Sequence, residues 1–395
     1  MNTTRIQMVD AIRGFCLLGI LIANMLIFQY GIFGMEELET FSISKWDASF
    51  HTFLKIAVEG SFMPIFAFLF GFGLIKMKES LERRQLGVKR TLFRRFLLLI
   101  VLGFLHSTFL WEGDILLMYG MMGIFLLLFV KRKAKTILIW ALLFFGVTTL
   151  IGYGSTLEFT DEQHELNEYI AKETATYSEG TYWEVVEFRN SEDSYQALGL
   201  SEEDYLLILL LMPIINATPF LIGMYAAKKD WFSNPENLRS FYKKGMILIP
   251  IGLAFKSIYY FINHSLAGML YEPGAIALAI GYIFLLAYLY TKVSNLAAFN
   301  LFGYVGRLSL TNYIMHSIIC TTIFYGYGLG LYGKLGVIFG FLLCIVIYVS
   351  QMICSKWYLS RFKSGPLEHL ARICTYLSLS GRPKVKKEST LKEVG

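Results

Sequence analysis

Long apolar blocks constrain the fold of this chain more than any other feature of its sequence. The first block, "VDAIRGFCLLGILIANMLIF" from Val9 to Phe28, is followed by others of similar length. Each is close to the roughly 20 residues that a helix needs to cross a bilayer. Only 17% of the residues are charged, against about 25% in soluble proteins. The sequence therefore predicts an all-α, polytopic membrane helix bundle.

We expect about ten membrane-spanning helices, joined mostly by short loops. Their predicted positions are 11–33, 54–76, 94–111, 114–131, 135–154, 204–227, 246–263, 274–291, 307–326 and 335–355. They divide the chain into an N-terminal membrane half (1–157), an acidic segment (158–203), a C-terminal membrane half (204–370) and a basic tail (371–395). No cleavage site of small residues follows the first block, so we expect that span to be retained.

The charges of the loops predict how the bundle is oriented. Between Lys76 and Arg95, eight Lys or Arg residues stand against two glutamates, and such loops face the cytoplasm. The basic segments 131–135, 228–244 and 292–307 then share that side with both termini, including Lys384, Lys386 and Lys387 of the tail. We expect a multi-pass protein of the cell membrane. Because the formal charge of +6 is explained by these loops, no nucleic-acid partner is expected.

The acidic segment 158–203 then lies outside the cell. Its Lys and Arg residues are only Lys172 and Arg189, and Thr160 or Asp161 is a candidate helix cap near its start. The segment is too short for an independent enzyme domain. It is interpreted either as a cap or acceptor-side lid on the membrane surface or as a solvated acidic linker.

Several familiar chemical signals are absent from the sequence. The five cysteines (Cys16, Cys320, Cys344, Cys354 and Cys374) have no paired spacing and are interpreted as small core residues. There is no phosphate-binding glycine loop, no GxSxG motif and no dense cluster of metal ligands. We expect no metal site and no tightly bound cofactor.

Polar residues inside the apolar blocks are the best guides to function, because ionisable groups at membrane depth usually face the bundle interior. Asp10 and Arg13 are close enough for an ion pair, and Asn24, eleven residues after Arg13, shares its helix face. Asp10 and Arg13 either anchor the helix at the cytoplasmic surface or receive a phosphate-bearing ligand there.

The third and fourth predicted spans give the richest candidate site, "GFLHSTFLWEGDILLMYGMMG". His106 lies about one turn from the outer end of its helix, and Glu112 and Asp114 follow in a very short hairpin. A histidine with nearby carboxylates suits general base catalysis or proton relay. Glu59, at the outer end of the second span, could join this side. The alternative is a histidine that is simply hydrogen-bonded within the bundle.

A second constellation is "GRLSLTNYIMHS", from Gly306 to Ser317. Ser309, Asn312 and His316 are spaced i, i+3, i+7 and share a helix face. Arg307 marks the cytoplasmic end of this span. These residues either hold helices together through hydrogen bonds or line a substrate cavity.

These stretches together resemble the YeiB-type family of bacterial membrane proteins. The motifs that carry the resemblance are "RIQMVDAIRGFCLLGILIANM", "FMPIFAFLFGFGL", "GFLHSTFLWEGDILLMYGMMG", "GRLSLTNYIMHSII" and "FKSGPLEHLARICTY", in the family's order. They span nearly the whole chain except the acidic segment and the extreme C-terminus. The family pattern has Gln at the position of His316 and Trp at that of His369, so His316 is a poor candidate for a shared role.

The YeiB-type family is grouped with the transmembrane acyltransferases, which include heparan-α-glucosaminide N-acetyltransferase. The resemblance implies a helical bundle that passes an acyl group from a cytoplasmic thioester donor, such as acyl-CoA, to an acceptor at the outer face. Arg13 would then steer the donor phosphates. His106 would deprotonate an acceptor hydroxyl or amine, and Asp114 or Glu112 would orient it.

Three functions therefore remain open. The first is acyl transfer to a cell-envelope or small-molecule acceptor, through a continuous tunnel from Arg13 to His106. The second is a small-molecule transporter or exporter with His106 or Glu59 carrying protons. The third is a non-catalytic scaffold or sensor whose acidic segment binds a partner. Membrane lipid is the expected surrounding in each, and a homodimer is compatible with all three.

Overall fold

A computed structural model describes residues 7–154, 163–191, 201–293 and 297–383. All regular elements within these ranges are helices, which confirms the all-α fold. The α-helices are α1 (Gln7–Tyr30), α2 (Lys45–Ala57), α3 (Phe62–Arg83), α4 (Val88–Phe109), α5 (Leu116–Leu126), α6 (Ala134–Ile151), α7 (Gln163–Glu179), α8 (Tyr182–Arg189), α9 (Glu202–Ile215), α10 (Ala217–Lys228), α11 (Arg239–Gly245), α12 (Leu248–Phe261), α13 (Tyr271–Lys292), α14 (Ala297–Arg307), α15 (Ser309–Phe324), α16 (Val337–Arg361) and α17 (Pro366–Tyr376). Short 3₁₀ turns cover Leu38–Phe41 and Gly268–Leu270.

Within the described residues, seven helical stretches are long and apolar enough to cross a membrane. They are Gln7–Tyr30, Lys45–Arg83, Val88–Phe109, Ala134–Ile151, Leu206–Lys228, Gly268–Lys292 and Val337–Arg361. The other three predicted spans fall on the shorter apolar helices α5, α12 and α15, of 11, 14 and 16 residues. The total of ten and the side of the termini stay predictions.

Helix α1 is the central helix of the bundle, with apolar side chains buried around most of its circumference. It packs against α3, α14, α15 and α16. Glycines bring α1 and α14 into backbone contact: a Cβ on Gly14 would strike the carbonyl oxygen of Phe302, and one on Gly306 would strike that of Asp10. Small residues at such crossings allow the close approach by which membrane helices pack.

The outer helices expose large apolar side chains that an aqueous protein would cover. Examples are Phe104 on α4, Leu142 and Leu150 on α6, and Phe339 and Val346 on α16. These side chains lie on helices that already bury their other faces in the bundle. The exposed surface therefore suits lipid, in agreement with a membrane protein.

Two helices of the acidic segment rest on the bundle at the end where α4 stops. The Tyr182 hydroxyl donates to the Phe109 carbonyl (2.7 Å), and the Asn190 side-chain amide donates to that of Thr108 (3.1 Å). These contacts place α8 over the end of α4, as a cap would lie. The candidate helix cap at Thr160 or Asp161 and the basic residues Lys384, Lys386 and Lys387 lie outside the described residues.

Two predicted spans are interrupted, the first of them, 54–76, between α2 and α3 at residues 58–61. The span 204–227 is divided into α9 and α10 at Asn216, just after Pro213. A further break lies at the start of the predicted span 307–326, where buried Leu308 separates α14 from α15, so that α15 begins inside the protein. A helix that begins there needs acceptors for its first backbone N–H groups, and the candidate site supplies them.

Candidate functional site

His106 lies between an acidic side chain and a hydroxyl. Its Nδ1 is 2.9 Å from Asp114 Oδ1, although the alignment of these two atoms falls short of a good hydrogen bond. Its Nε2 is 2.9 Å from Ser317 Oγ, at hydrogen-bonding distance. The side chains of His106 and Asp114 are 2% exposed, and Ser317 is fully buried. We call these three residues the His106 centre.

The position of the Asp114 carboxylate favours one tautomer of the histidine. With the imidazole proton on Nδ1, facing Asp114, the other ring nitrogen is left as an acceptor for the Ser317 hydroxyl. Nε2 is then the basic atom of the ring. This is the relation of acid, histidine and hydroxyl that activates a hydroxyl group in enzymes of unrelated folds.

Local sequence explains why Asp114 reaches His106. Asp114 Oδ2 accepts a hydrogen bond from the backbone N–H of Leu117 (2.7 Å), so the same carboxylate caps the start of α5. Gly103, one turn before His106, lets this start approach, because a Cβ there would meet Leu117 and Asp114. The short hairpin between α4 and α5 thus positions the carboxylate through backbone geometry.

Aromatic side chains support the hairpin from both sides. Trp111 is fully buried and stacks on Phe28 of α1, with ring centroids 4.0 Å apart. The Tyr313 hydroxyl accepts from the backbone N–H of Ile115 (3.1 Å) and donates to the Gly113 carbonyl (3.3 Å). The ring of Tyr313 also lies 5.4 Å from that of His106. The His106 centre is therefore held in a rigid, water-poor surrounding.

A cavity of about 340 Å³ runs through the bundle towards this centre. Its volume falls within the range of small-molecule sites. Along α3 its lining extends from Phe66 to Met77, about 16 Å at 1.5 Å per residue. Apolar side chains line its middle, and Ile115, Tyr119 and Tyr313 close one end. Tyr313 is thus both a wall of the cavity and a neighbour of His106.

The other end of the cavity carries four arginines from four different helices. Arg13 (α1), Arg95 (α4), Arg307 (α14) and Arg372 (α17) all line it, and we call them the arginine cluster. The lining contains one carboxylate, Glu368, so this end is strongly positive. Guanidinium groups bind phosphates in a fork geometry, and several together suit a polyanionic group.

Glu368 is committed to the start of α15. Its carboxylate accepts from the backbone N–H groups of Leu310 (2.8 Å) and Thr311 (3.1 Å) and from the Thr311 hydroxyl (2.7 Å). It supplies the acceptors that a helix beginning at Ser309 lacks locally. The negative charge also lies at the positive end of the helix, and with four arginines to one carboxylate this end of the cavity keeps a net positive charge.

The three polar residues predicted on α1 have different surroundings. Arg13 lines the cavity and pairs with buried Asp10, whose Oδ1 is 3.2 Å from Arg13 Nη1. Asp10 therefore helps to fix the position of the Arg13 side chain. Asn24 is buried further along the helix and is not part of the cavity lining.

Glu112 belongs to a separate buried group beside the His106 centre. Its Oε2 is 2.8 Å from Arg189 Nε, which joins the hairpin to α8. Glu173 of α7 is nearby and only 3% exposed. We call these three residues the Glu173 cluster, together with Gln29, Tyr177, Tyr325 and Tyr332.

Burial and the charge of Glu112 together hold the pKa of Glu173 well above its usual range. Gly31, with a positive φ of 78°, makes room for this side chain, because a Cβ there would meet the carboxylate of Glu173 and the hydroxyl of Tyr332. Both polar atoms of the Gln29 side chain are buried without a hydrogen-bond partner in the structure. The cluster therefore concentrates polar groups between the acidic segment and the bundle.

Glu59 lies in a different polar group. The Lys256 ammonium of α12 donates to the carbonyl oxygens of Lys55 (2.6 Å) and Glu59 at the turn between α2 and α3. Lys256 is itself fully buried. The described contacts of Glu59 join α12 to this turn and do not involve His106.

Asn312 and His316 face α16 and not the cavity. The Asn312 side-chain amide donates to Ser355 Oγ (3.1 Å), and His316 Nε2 is 2.7 Å from Gln351 Oε1. Gln351 also donates to the Asn312 carbonyl (3.2 Å). These bonds join two helices, which is the structural interpretation of the motif. Ser309 and Arg307 from the same motif line the cavity instead.

Sequence reasoning missed four residues of the site: Ser317, Arg95, Arg372 and Glu368. Ser317 stands at the end of the motif "GRLSLTNYIMHS", eight residues after Ser309, and this spacing was an available signal. Arg95 and Arg372 look like ordinary residues of basic loops. Their meeting with Arg13 depends on the packing of helices far apart in the chain.

The chain is similar to known proteins over nearly its whole length. A family model described as "Protein of unknown function (DUF418)" matches residues 226–378. The "Uncharacterized protein YxaH" of Bacillus subtilis (strain 168) is 32% identical over 391 residues, 96% of each chain. The "Uncharacterized protein YeiB" of Escherichia coli (strain K12) is 28% identical over 410 residues, 96% of this chain and 98% of its own.

No solved structure matches the chain. The matches to YxaH and YeiB cover both membrane halves and the acidic segment between them, whereas the family model lies in the C-terminal half. The chain belongs to the YeiB-type family and carries its domain of unknown function, DUF418.

Proposed function

We propose that this protein is a membrane acyltransferase that takes an acyl group from a phosphate-bearing thioester, with acyl-CoA as the donor. The acceptor is a hydroxyl or amine of a cell-envelope component or a small molecule at the outer face. The protein would act in the bacterial cytoplasmic membrane. The observation that carries the proposal is one cavity with the arginine cluster at one end and the His106 centre beyond the other.

The lining of the cavity fits the parts of such a donor. Phosphates suit Arg13, Arg95, Arg307 and Arg372 at the positive end. A flexible, mostly apolar arm suits the lining between Phe66 and Met77. The thioester carbonyl would then come to rest near Tyr313, beside the imidazole of His106.

His106 is the general base of the proposed reaction. Its Nε2 accepts a proton from the attacking hydroxyl or amine, and the charge of Asp114 stabilises the imidazolium that forms. The attacking atom forms a bond to the carbonyl carbon, the carbon–sulfur bond breaks, and the thiolate takes the proton from His106. Burial of the centre limits hydrolysis of the thioester by water.

The test follows donor turnover in proteoliposomes that contain the full chain. Labelled acetyl-CoA is supplied with a mixture of candidate acceptors, and release of free CoA is measured. We expect acceptor-dependent release by the wild type and a loss of about 10²–10⁴-fold in His106→Ala. Equal release by the two proteins would exclude His106 as the base, and no release by the wild type would reject acyl transfer from CoA.

A second arm of the same test addresses the arginine cluster. Arg95→Gln should raise the KM for acetyl-CoA about tenfold or more, since a charge-assisted phosphate contact is lost. The matched control is Arg84→Gln, an exposed arginine in the loop between α3 and α4. An unchanged KM in Arg95→Gln would place the donor phosphates elsewhere.

One observation favours a transporter as the second candidate function. The interruption between α14 and α15 at Leu308 lies beside the cavity, where Gly306, Arg307 and Ser309 line it. Transporters place their substrates at such broken helices. A transporter would accumulate an anionic solute without breaking a bond in it, so chemical analysis of the vesicle contents distinguishes the two functions.

A further inference from the structure

We propose that Ser317 carries the acyl group between donor and acceptor, so that transfer proceeds by two successive displacements. This inference rests on the proposed acyl transfer and names its covalent intermediate, an acyl ester on Ser317 Oγ. It assigns to Ser317 the role of nucleophile and to His106 the role of base in both steps.

Nε2, the basic atom of His106, already has a hydroxyl beside it. Nε2 lies 2.9 Å from Ser317 Oγ, so the hydroxyl nearest to the base is a side chain of the protein. An external acceptor would have to displace Ser317 before it could give its proton to this nitrogen. Ser317 needs no such rearrangement, and it is in place before any acceptor arrives.

The order of the carboxylate, the imidazole and the hydroxyl also supports a nucleophilic serine. Asp114 and His106 come from one hairpin and Ser317 from α15, 211 positions after His106, and the contacts at both ring nitrogens measure 2.9 Å. A serine contributing only to helix packing has no need of a histidine oriented by a carboxylate. A nucleophile and a base within hydrogen-bonding reach, with the base oriented by a third group, is the arrangement that nucleophilic catalysis requires.

The cavity lining on α15 leads towards Ser317. On α15 the cavity lining includes Ser309 and Tyr313, four residues apart, and Ser317 is the next residue at that spacing. Positions i, i+4 and i+8 follow one stripe of a helix. A thioester that enters past Tyr313 would therefore meet Ser317 one helical turn further on.

Burial would protect an ester intermediate on Ser317 from hydrolysis. Ser317 is fully buried and the His106 and Asp114 side chains are 2% exposed, so water has little access to an acyl group held there. An acyl ester that survives the departure of CoA allows the acceptor to bind afterwards, from the side of the Glu173 cluster. Donor and acceptor then need not occupy the protein at the same time.

The two steps balance without another reactant. In the first, the Ser317 proton passes to His106 Nε2, Oγ bonds to the carbonyl carbon, the carbon–sulfur bond breaks, and the thiolate leaves with the proton from His106. In the second, the acceptor gives its proton to Nε2 and attacks the ester carbonyl. The bond between that carbon and Oγ breaks, and Ser317 regains the proton. No group is oxidised or reduced.

The test is isotope exchange without any acceptor. Proteoliposomes with the full chain are incubated with unlabelled acetyl-CoA and labelled free CoA, and label is followed into acetyl-CoA. Reversible formation of an acyl enzyme permits this exchange, whereas direct transfer to an acceptor does not. We expect exchange by the wild type and a loss of roughly 100-fold or more in Ser317→Ala. The matched control Ser350→Ala changes an exposed serine of α16 and should exchange normally.

A second measurement detects the intermediate itself. After brief incubation with acetyl-CoA, acid quenching and proteolysis, mass spectrometry should find an acetyl group on the peptide that contains Ser317. Ser317→Cys should accumulate a thioester at the same position that hydroxylamine removes. These readouts do not depend on the overall rate, and the folded state of each variant is checked by its thermal midpoint in detergent.

The outcomes separate the two proposals. Acceptor-dependent transfer by a wild type that neither exchanges label nor becomes acetylated would overturn the serine intermediate and leave acyl transfer intact. Undiminished exchange in folded Ser317→Ala would do the same, because Ser317 would then only orient His106. Absence of both exchange and transfer in the wild type would overturn the proposed function and the intermediate together.

Discussion

At the scale of single residues, the proposed acyl transfer depends on how His106 is polarised. The ring has Asp114 at one nitrogen and Ser317 at the other, each at 2.9 Å. The carboxylate of Asp114 has two functions: one oxygen faces His106, and the other caps α5. An amide in its place can keep the cap through its own oxygen, but it cannot stabilise a charged imidazolium.

Asp114→Asn should therefore separate catalysis from folding. We expect kcat for acyl transfer to fall about 10²–10⁴-fold, with the KM for the donor changed by less than about threefold, because the arginine cluster is untouched. The control is Glu187→Gln, an exposed acid of α8. A similar loss in the control, or a normal kcat in Asp114→Asn, would contradict the role given to this carboxylate.

The residue scale also shows how far a sequence can be used to predict a site. His106 and Asp114 are eight positions apart across a short hairpin, so their proximity could be predicted. Ser317 is 211 positions from His106, and no local pattern indicates that the two meet. Glu112 and Asp114 are equally good candidates by spacing, and only the packing of α8 shows that Arg189 takes Glu112.

At the scale of helices, close backbone packing sets the shape of the bundle. Helices α1 and α14 touch through Gly14 and Gly306, and α3 and α10 touch through Gly71 and Gly223, where a Cβ would strike the carbonyl oxygen of Phe220 or Phe68. The first of these contacts also holds Asp10 and Arg13 at the end of the cavity.

Gly306→Ala should destabilise the protein. Its Cβ would be forced against the backbone of Asp10, which cannot move as a side chain can, so we expect a loss of at least about 1–3 kcal/mol. Gly303 lies on the same helix, and a Cβ there meets nothing within 4 Å. Gly303→Ala should therefore be neutral or slightly stabilising. Thermal midpoints in detergent compare the two variants, and equal midpoints would contradict the packing.

Helices α7 and α8 should make stability depend on pH through Glu173. The raised pKa favours the neutral form of Glu173 in the folded state. The stability that the neutral form contributes is fully present below the ordinary pKa near 4.3, and it is lost as pH rises towards the raised pKa of the folded state. Between these two pKa values the free energy of unfolding falls by about 1.4 kcal/mol per pH unit. Glu173→Gln should remove this dependence.

The comparison is made with thermal midpoints of the wild type and Glu173→Gln from pH 5 upwards. The midpoint of the wild type should fall relative to that of the variant as pH increases. Parallel curves would mean that Glu173 is charged in the folded protein throughout this range, contrary to its burial among Gln29, Tyr177 and Tyr332.

Helix positions were largely predictable, because apolar blocks of the right length have few other solutions in a membrane. Each of the ten predicted spans contains a helix in the structure. The break after α9 has a proline signal in Pro213. The break at Leu308 was not predictable, because no proline stands there and Glu368 supplies the missing acceptors from α17. Tertiary contacts of this kind carry no local signature.

At the scale of the whole molecule, the proposed acyl transfer requires that the two ends of the cavity face opposite sides of the membrane. The arginine cluster shares its end with the basic loop between α3 and α4, which is predicted to be cytoplasmic. Helix α8 covers the opposite end of α4. Neither the cavity nor its two ends could be predicted from charge alone, since they depend on how seven elements assemble.

Cysteine labelling tests this orientation. In a background with Cys354 and Cys374 changed to serine, exposed Arg84 and exposed Trp183 are replaced separately by cysteine. A membrane-impermeant maleimide should label Trp183→Cys in intact cells and Arg84→Cys only after permeabilisation. The opposite pattern, or labelling of both in intact cells, would contradict the predicted topology.

The most direct measurement of the central claim is an experimental structure of the full chain with a non-reactive acyl-CoA analogue. The account predicts analogue density inside the cavity, with its phosphates on Arg13, Arg95, Arg307 or Arg372 and its carbonyl carbon within about 4 Å of Ser317 Oγ. An analogue bound elsewhere, or an empty cavity at a saturating concentration, would contradict it.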